Sequence, residues 1–303
     1  MATLALLCTC LPHSVSAQGV AITLDDGPMV DATPLMTPVE RNESILRHLR
    51  DKGVQAMFFV TLKNGAVRPE GMALLERLAE SGQLIANHTV THPDFNAAAT
   101  SLAAFEQEVL GCDEAIRALP GYRKLLRFPF LREGAAEAKR DGIRAFLQAQ
   151  GYRIGYVSID TSDWLVDQKL KEALARDSKL DLAPWRELYL AHLWEHAQAY
   201  DRLGRQLYGR DVKHVLLLHH RLINALFLGD VIDMFRARGW TILSPDDAFA
   251  DPAYQVAPMI PLLNGSVLET TAQALGVPLQ PSLSGLGSER QVGEAAEKLS
   301  VRP

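Results

Sequence analysis

Along the chain, one arrangement of apolar and polar positions recurs four times: a stretch with helical spacing, a glycine, then a short apolar or β-branched run. It reads HLRDKGVQAMFFV around Gly53, RLAESGQLIAN around Gly82, FLQAQGYRIGYVSI around Gly151 and MFRARGWTIL around Gly239. A glycine just past a helix fits a left-handed C-terminal cap, and the apolar runs fit buried strands. Alternation of such units predicts an α/β fold with a parallel sheet covered by helices. The runs 20–24, 124–128 and 213–218 bring the total to about seven strands, near the number that closes a barrel. An open doubly wound sheet is the alternative, but no glycine-rich phosphate fingerprint follows the first strand.

Two stretches depart from the pattern. Residues 165–212 are mostly helical, with a helix over 183–207, and too long for a simple crossover, so they read as a helical insertion over one face. After about Tyr254 the composition turns to Pro, Gly and Ser (PMIPLLNG, GVPLQPSLSGLGSE), which predicts a flexible tail over 256–303 behind a domain spanning 18–255.

With 303 residues, 48% of them hydrophobic, the chain can bury one large core or two smaller ones. A formal charge of -5 without a long run of like charge argues against nucleic acid as a partner. Residues 1–17 (MATLALLCTCLPHSVSA) combine an apolar stretch with Val15-Ser16-Ala17, similar to a signal-peptidase site, so a secreted or periplasmic protein is expected. The leader lacks a positive n-region, as if the true start lay upstream. No other segment is long and apolar enough for stable membrane insertion. Cys8 and Cys10 fall in the leader; Cys112 sits in an apolar-periodic stretch with Phe105, Val109 and Ile116, as a packed residue would.

The chemistry gathers at strand ends. The first strand closes on Thr23-Leu24-Asp25-Asp26-Gly27-Pro28. Successive residues leaving a strand point different ways, so one carboxylate can bind metal while its neighbour stays free. The third closes on Asn87-His88-Thr89-Val90-Thr91-His92-Pro93, two imidazoles four apart, on a loop rather than within a helix because Pro93 and the stiff Thr-Val-Thr disfavour one. One carboxylate and two imidazoles form a set that zinc, cobalt, nickel or ferrous iron can use. Arg127, Asp160, Asp163, His219 and His220 end other apolar runs, where an ordinary core would not want them. In a (β/α) barrel the site lies at this carboxyl face of the strands.

Taken in order, these motifs resemble the polysaccharide deacetylase family, the carbohydrate esterases with a NodB homology domain, over roughly residues 20–254. The resemblance implies a distorted (β/α) barrel and a metal-dependent hydrolase that removes N-acetyl or O-acetyl groups from a glycan or oligosaccharide and releases acetate. It implies one divalent ion, zinc before cobalt or nickel, on Asp26, His88 and His92. Asp25 matches the family's catalytic base, Arg127 the arginine that holds it, His219 the general acid and Asp163 the aspartate that tunes that acid. Phe130 matches the residue whose backbone N–H polarises the substrate carbonyl, Trp164 a wall of the groove and Leu217 the floor of the acetate pocket.

Those roles cohere chemically. Arg127 is expected to keep Asp25 ionised to take a proton, and Asp163 to keep His219 protonated to give one. Departures concern the rim: Phe130 stands where tyrosine is more usual, Leu131-Arg132-Glu133 lack a glycine, and His220 replaces an aspartate. Trp164, Trp185 and Trp194 offer faces that stack on sugars, although helical aromatics are more often core. Four rival readings stand beside this one. A hydrolase of a non-peptide C–N bond in a small molecule would use the same groups. A metalloprotease would use His192-Leu193-Trp194-Glu195-His196, an H-x-x-E-H match with Glu269 as third ligand. An iron oxygenase leaves Asp25, Arg127 and His219 unexplained, and an inactive carbohydrate-binding relic would have lost a group that is here present.

Overall fold

In the computed structural model, which describes residues 18–279, 283 and 285–300, the apolar runs form parallel strands. They are β1 (Gly19–Asp25), β2 (Met57–Val60), β3 (Leu84–Asn87), β4 (Tyr122–Leu126), β5 (Arg153–Ile154), β6 (His214–His219) and β7 (Thr241–Ile242). Every residue of β1, β2 and β3 is buried, as strands with both faces covered must be. Their order is β5-β4-β3-β2-β1-β6, with β7 beside the start of β1. The seven strands and the (β/α) architecture agree with the sequence pattern.

The distortion of the barrel lies in residues 153–159. This run pairs with β4 through Leu126 and Ile154, then crosses to the far end of the sheet, where Ile159 bridges Leu216. Ser158 and Ile159 N–H both donate to the Val215 carbonyl, at 3.2 and 3.1 Å. One short run thus joins the two ends of the sheet by a bridge instead of a full ladder.

Helices α1 (Pro38–Asp51), α2 (Pro69–Glu80), α3 (Leu102–Ile116), α4 (Glu137–Ala149), α7 (Leu222–Ala237) and α8 (Pro245–Phe249) surround the sheet. Four of the helices end at the expected glycines with positive φ, 59° at Gly53 and 84° at Gly82. The insertion comprises α5 (Asp163–Arg176) and α6 (Ala183–Tyr208). Its aromatics are core: Trp185, Tyr189 and Tyr200 are buried, and Trp194 packs edge-on against Phe235 and Trp240. Trp185 and Trp194 therefore offer no stacking face to a sugar. No helix among the described residues is long and apolar enough to cross a membrane.

The C-terminal stretch differs from the flexible tail expected of it. It forms α9 (Val267–Ala274) and α10 (Gly285–Ser300), burying Leu262, Val267, Leu268, Ala272, Val292 and Ala296. The Ser266–Glu269 capping box starts α9, while Val267 N–H donates to the Val157 carbonyl and Glu133 N–H to that of Leu262. Apolar pairs one turn apart were present in the sequence, but the prolines and glycines between them masked so short a period. The expected leader, residues 1–17, lies outside the described residues.

Candidate active site

Backbone conformation at the strand ends sets the direction of each side chain. Asp25 closes β1 in extended form, whereas Asp26 adopts a left-handed φ of 69°, so the adjacent carboxylates diverge. Gly27 follows because a Cβ there would stand 2.8 Å from that of His220. After β3, Asn87 accepts from Thr89 N–H at 2.9 Å and donates to the Val109 carbonyl at 2.9 Å. Thr89 and His92 are left-handed, with φ of 71° and 55°, and Glu108 of α3 accepts from Thr91 N–H and its hydroxyl. The two histidines are thus presented by a pinned loop, as expected.

Asp26, His88 and His92 converge: one donor atom from each lies within 4.8 Å of the others, and among the described residues no other group of His, Cys, Asp and Glu does so. His88 donates from Nδ1 to the Arg127 carbonyl at 2.8 Å, which fixes its tautomer and leaves Nε2 as a lone pair facing Asp26, 3.8 Å away. His92 Nε2 stands 3.5 Å from the same carboxyl oxygen. Burial lowers both imidazoles to about 4, so at neutral pH they are neutral donors. Burial opposes ionisation of Asp26, yet surrounding positive charge outweighs it and holds the carboxyl at about 2. Above pH 4 that charge is His219 and Arg221, whose Nη2 lies 3.4 Å from Asp26. An anionic oxygen and two neutral imidazole nitrogens suit a borderline divalent ion.

Asp25 turns into the barrel. Arg127, buried, donates from Nη1 to Asp25 at 2.6 Å and to the Thr23 hydroxyl at 2.8 Å, and from Nε to the Gly155 carbonyl at 2.9 Å. Its guanidinium lies 3.8 Å over the Phe59 ring. Burial nevertheless outweighs this partner and lifts Asp25 to about 6, so this carboxyl is less acidic than pairing with Arg127 alone would make it.

On the neighbouring strand β6, in register with Asp25, His219 meets Asp163, the first residue of α5, at 2.6 Å through Nδ1, and donates its backbone N–H to the same carboxylate at 2.9 Å. Asn224 donates to Asp163 at 2.8 Å and accepts from the Tyr189 hydroxyl at 2.7 Å, so the insertion helix braces this dyad. Burial disfavours the imidazolium, but Asp163 outweighs it and raises His219 to about 9. Phe130, 47% exposed with φ of 57°, sets its ring 4.6 Å from that of His92. Leu217 packs with Leu131 and Val157 as an apolar floor, and Trp164 lines the cavity wall. The cavity holding these groups measures about 500 Å³.

The ten residues to which the resemblance assigned roles thus stand in or directly behind one cavity. The H-x-x-E-H match does not build a second centre. His192 Nε2 lies 2.5 Å from the Thr161 carbonyl, His196 Nδ1 faces the His192 carbonyl, and Glu195 is exposed on the far side of α6. Arg221, Asn224, Tyr189 and Tyr200 were missed, and Glu269 was read only as a third ligand of the H-x-x-E-H match. Arg221 follows His219-His220 directly, and Glu269 closes a readable capping box, but neither position announces a cavity.

Fold and site together put the chain among the distorted (β/α) barrels that gather their polar groups at the carboxyl ends of the strands. Within that class, the model of the polysaccharide deacetylase family matches residues 13–153 of the chain. Asp25, Asp26, His88, His92 and Arg127 fall inside this match; Asp163, Leu217 and His219 lie beyond it. A peptidoglycan-N-acetylglucosamine deacetylase of Bacillus cereus is 30% identical over 145 residues, 48% of this chain and 46% of the relative. A chitooligosaccharide deacetylase of Bradyrhizobium sp. (strain ANU 289) is 31% identical over 166 residues, 52% of this chain and 65% of the relative. The chain spans about half the length of the curated relatives it matches. The chitin deacetylase of Colletotrichum lindemuthianum has the same fold, with a TM-score of 0.54 at 21% identity over 78% of this chain and 89% of that one.

Proposed function

We propose that the protein is a metal-dependent hydrolase that removes acetyl groups from a glycan, with an N-acetyl amide as first substrate and an O-acetyl ester as second. The observation that carries this reading is the meeting, in one cavity, of the Asp26–His88–His92 donor set with two oppositely tuned pairs, Asp25–Arg127 and His219–Asp163. A divalent cation held by the three donors, zinc before cobalt or nickel, supplies Lewis acidity to the acyl carbonyl and to water.

The remaining work belongs to the chain. Asp25, near 6, is ionised at neutral pH yet basic enough to accept the proton of the attacking water, and Arg127 holds it in place. His219, near 9, carries the proton that the departing nitrogen or oxygen needs. The apolar floor at Leu217 takes the acetyl methyl, and the Phe130 backbone N–H is directed to the acyl oxygen. A small-molecule C–N hydrolase is the second reading, because none of these groups reads the sugar itself.

The test is acetate release from a panel of N- and O-acetylated glycans, with and without chelator and with zinc or cobalt restored. Loss of turnover on chelation and its return with metal are expected. Chelator-resistant turnover would sink the metal; no acetate from any glycan would turn the reading toward the small molecule.

The acid carries a second test. His219 is raised, so turnover should hold between about 6, where Asp25 ionises, and about 9, and fall as pH rises through the latter. In Asp163→Asn the charge that opposes burial is gone, and the alkaline limb should drop to 6.5 or below. At pH 8 that costs more than about tenfold in kcat, since each unit is about tenfold in the protonated fraction. An unmoved limb would remove His219 from the mechanism.

A further inference from the structure

The cavity has a wall that neither Asp25, His219 nor the three donors account for. It is made where helix α6 of the insertion meets the C-terminal stretch, and Asp160, Tyr200, Asn264 and Glu269 line it together with Trp164. Resting on the glycan reading above, we infer that this wall is a sugar-binding subsite, taking through its hydroxyls the hexopyranose next to the one that loses its acetyl group.

Geometry supports the inference. Tyr200 on α6 donates its hydroxyl to Glu269 at 2.9 Å, and Ser266 N–H donates to the same carboxyl oxygen at 2.7 Å, so the carboxyl is aimed and immobilised before any ligand arrives. Asp160 is steadied by Ser162 N–H at 3.3 Å and stays partly open to the cavity, as Glu269 does. Asn264 is exposed at the rim and contributes an amide with both donor and acceptor. Burial raises Asp160 and lifts Glu269 to about 7, so near neutrality the Glu269 carboxyl both gives and accepts hydrogen bonds, as a sugar hydroxyl does. Trp164 adds the apolar face that a pyranose ring also presents. None of these groups stands in the acid, base or metal-donor set, so their placement serves recognition beyond the acetyl group.

A subsite of this kind is felt only by substrates long enough to reach it. The experiment compares wild type, Glu269→Gln and Asn264→Ala on N-acetylglucosamine monomer, dimer, trimer and tetramer. It reads kcat/KM by acetate release and affinity by calorimetry with the same oligomers. Asn264 is exposed, so its replacement does not threaten the fold. Wild-type kcat/KM and affinity should both climb once a second unit is present, and each variant should flatten that climb by roughly tenfold, the worth of a lost hydrogen bond to a buried polar partner. Equal losses at every length, monomer included, or no loss at any length, would overturn the subsite. If wild type releases no acetate but still binds oligomers with this length dependence and Glu269 sensitivity, the deacetylase reading fails and the subsite stands. Neither release nor binding overturns both.

Discussion

Alanine at His92 is expected to cost the protein its bound metal and its turnover together. The ring nitrogen that faces Asp26 at 3.5 Å is one of three donors within 4.8 Å of one another, the one such group among the described residues. Loss of an outer partner of a metal ligand already costs about 10- to 100-fold in affinity, and loss of the ligand itself should exceed about 100-fold. His92 is partly exposed, so the substitution should leave the fold standing and the effect readable. Metal content by mass spectrometry and acetate release are the two measurements. Glu195→Gln, on the exposed side of α6, is the control and should leave both within about twofold, as befits a surface substitution. A His92→Ala protein that keeps one metal per chain and normal turnover would dismantle the donor set.

The second large effect concerns the Asp25–Arg127 pair. Asp25→Asn should lower kcat by about 10²- to 10⁴-fold, the range a positioned base supplies, with metal content kept. It should also cost stability. Arg127 is buried and cannot give up its proton, so the asparagine leaves a guanidinium without a counter-charge in the barrel interior, a change worth about 3–5 kcal/mol when nothing compensates. Arg127→Met is the informative partner. It strands a carboxyl, which neutralises itself by taking up a proton, so the loss of stability should be smaller even though turnover also falls. Urea denaturation of the two variants at pH 7 decides the order, and a more fragile Arg127→Met would contradict this account of the pair.

Much of this site was legible in the sequence for one physical reason. A strand buried on both faces is a solid apolar run, so a charged residue at its end stands out, and Asp25, His88, Arg127 and His219 each close or follow such a run. The number of strands was legible from the same runs and the glycines between them. What was not legible depends on backbone direction or on long-range contact. Nothing in Asp25-Asp26 says that the second turns left-handed and so sends the two carboxyls apart. Nothing in Asp25 and Arg127 as a pair reveals that burial outweighs the guanidinium. The bridge from Ile159 to Leu216 joins segments far apart in sequence, and the helices after Tyr254 are too short, and too interrupted by proline and glycine, to show their period. His220, which replaces an aspartate, faces away from the chemistry: it is buried against Asn42 at 3.0 Å and held by burial at about 3.

Among the described residues, the non-glycine positions with left-handed backbone are Asp26, Thr89, His92, Phe130, Leu131 and Ser162, and every one of them is on a loop of the cavity. Such conformations cost about 1–3 kcal/mol each and survive only where surrounding structure enforces them. For an engineer this divides the surface in two. A search for thermal robustness that substitutes glycine at Ser162, whose side chain is only partly buried, would relieve that strain and lose the aim of the groups beside it. Gains sought on the outward faces of α1, α2 and α4 would carry no such trade-off between endurance and turnover.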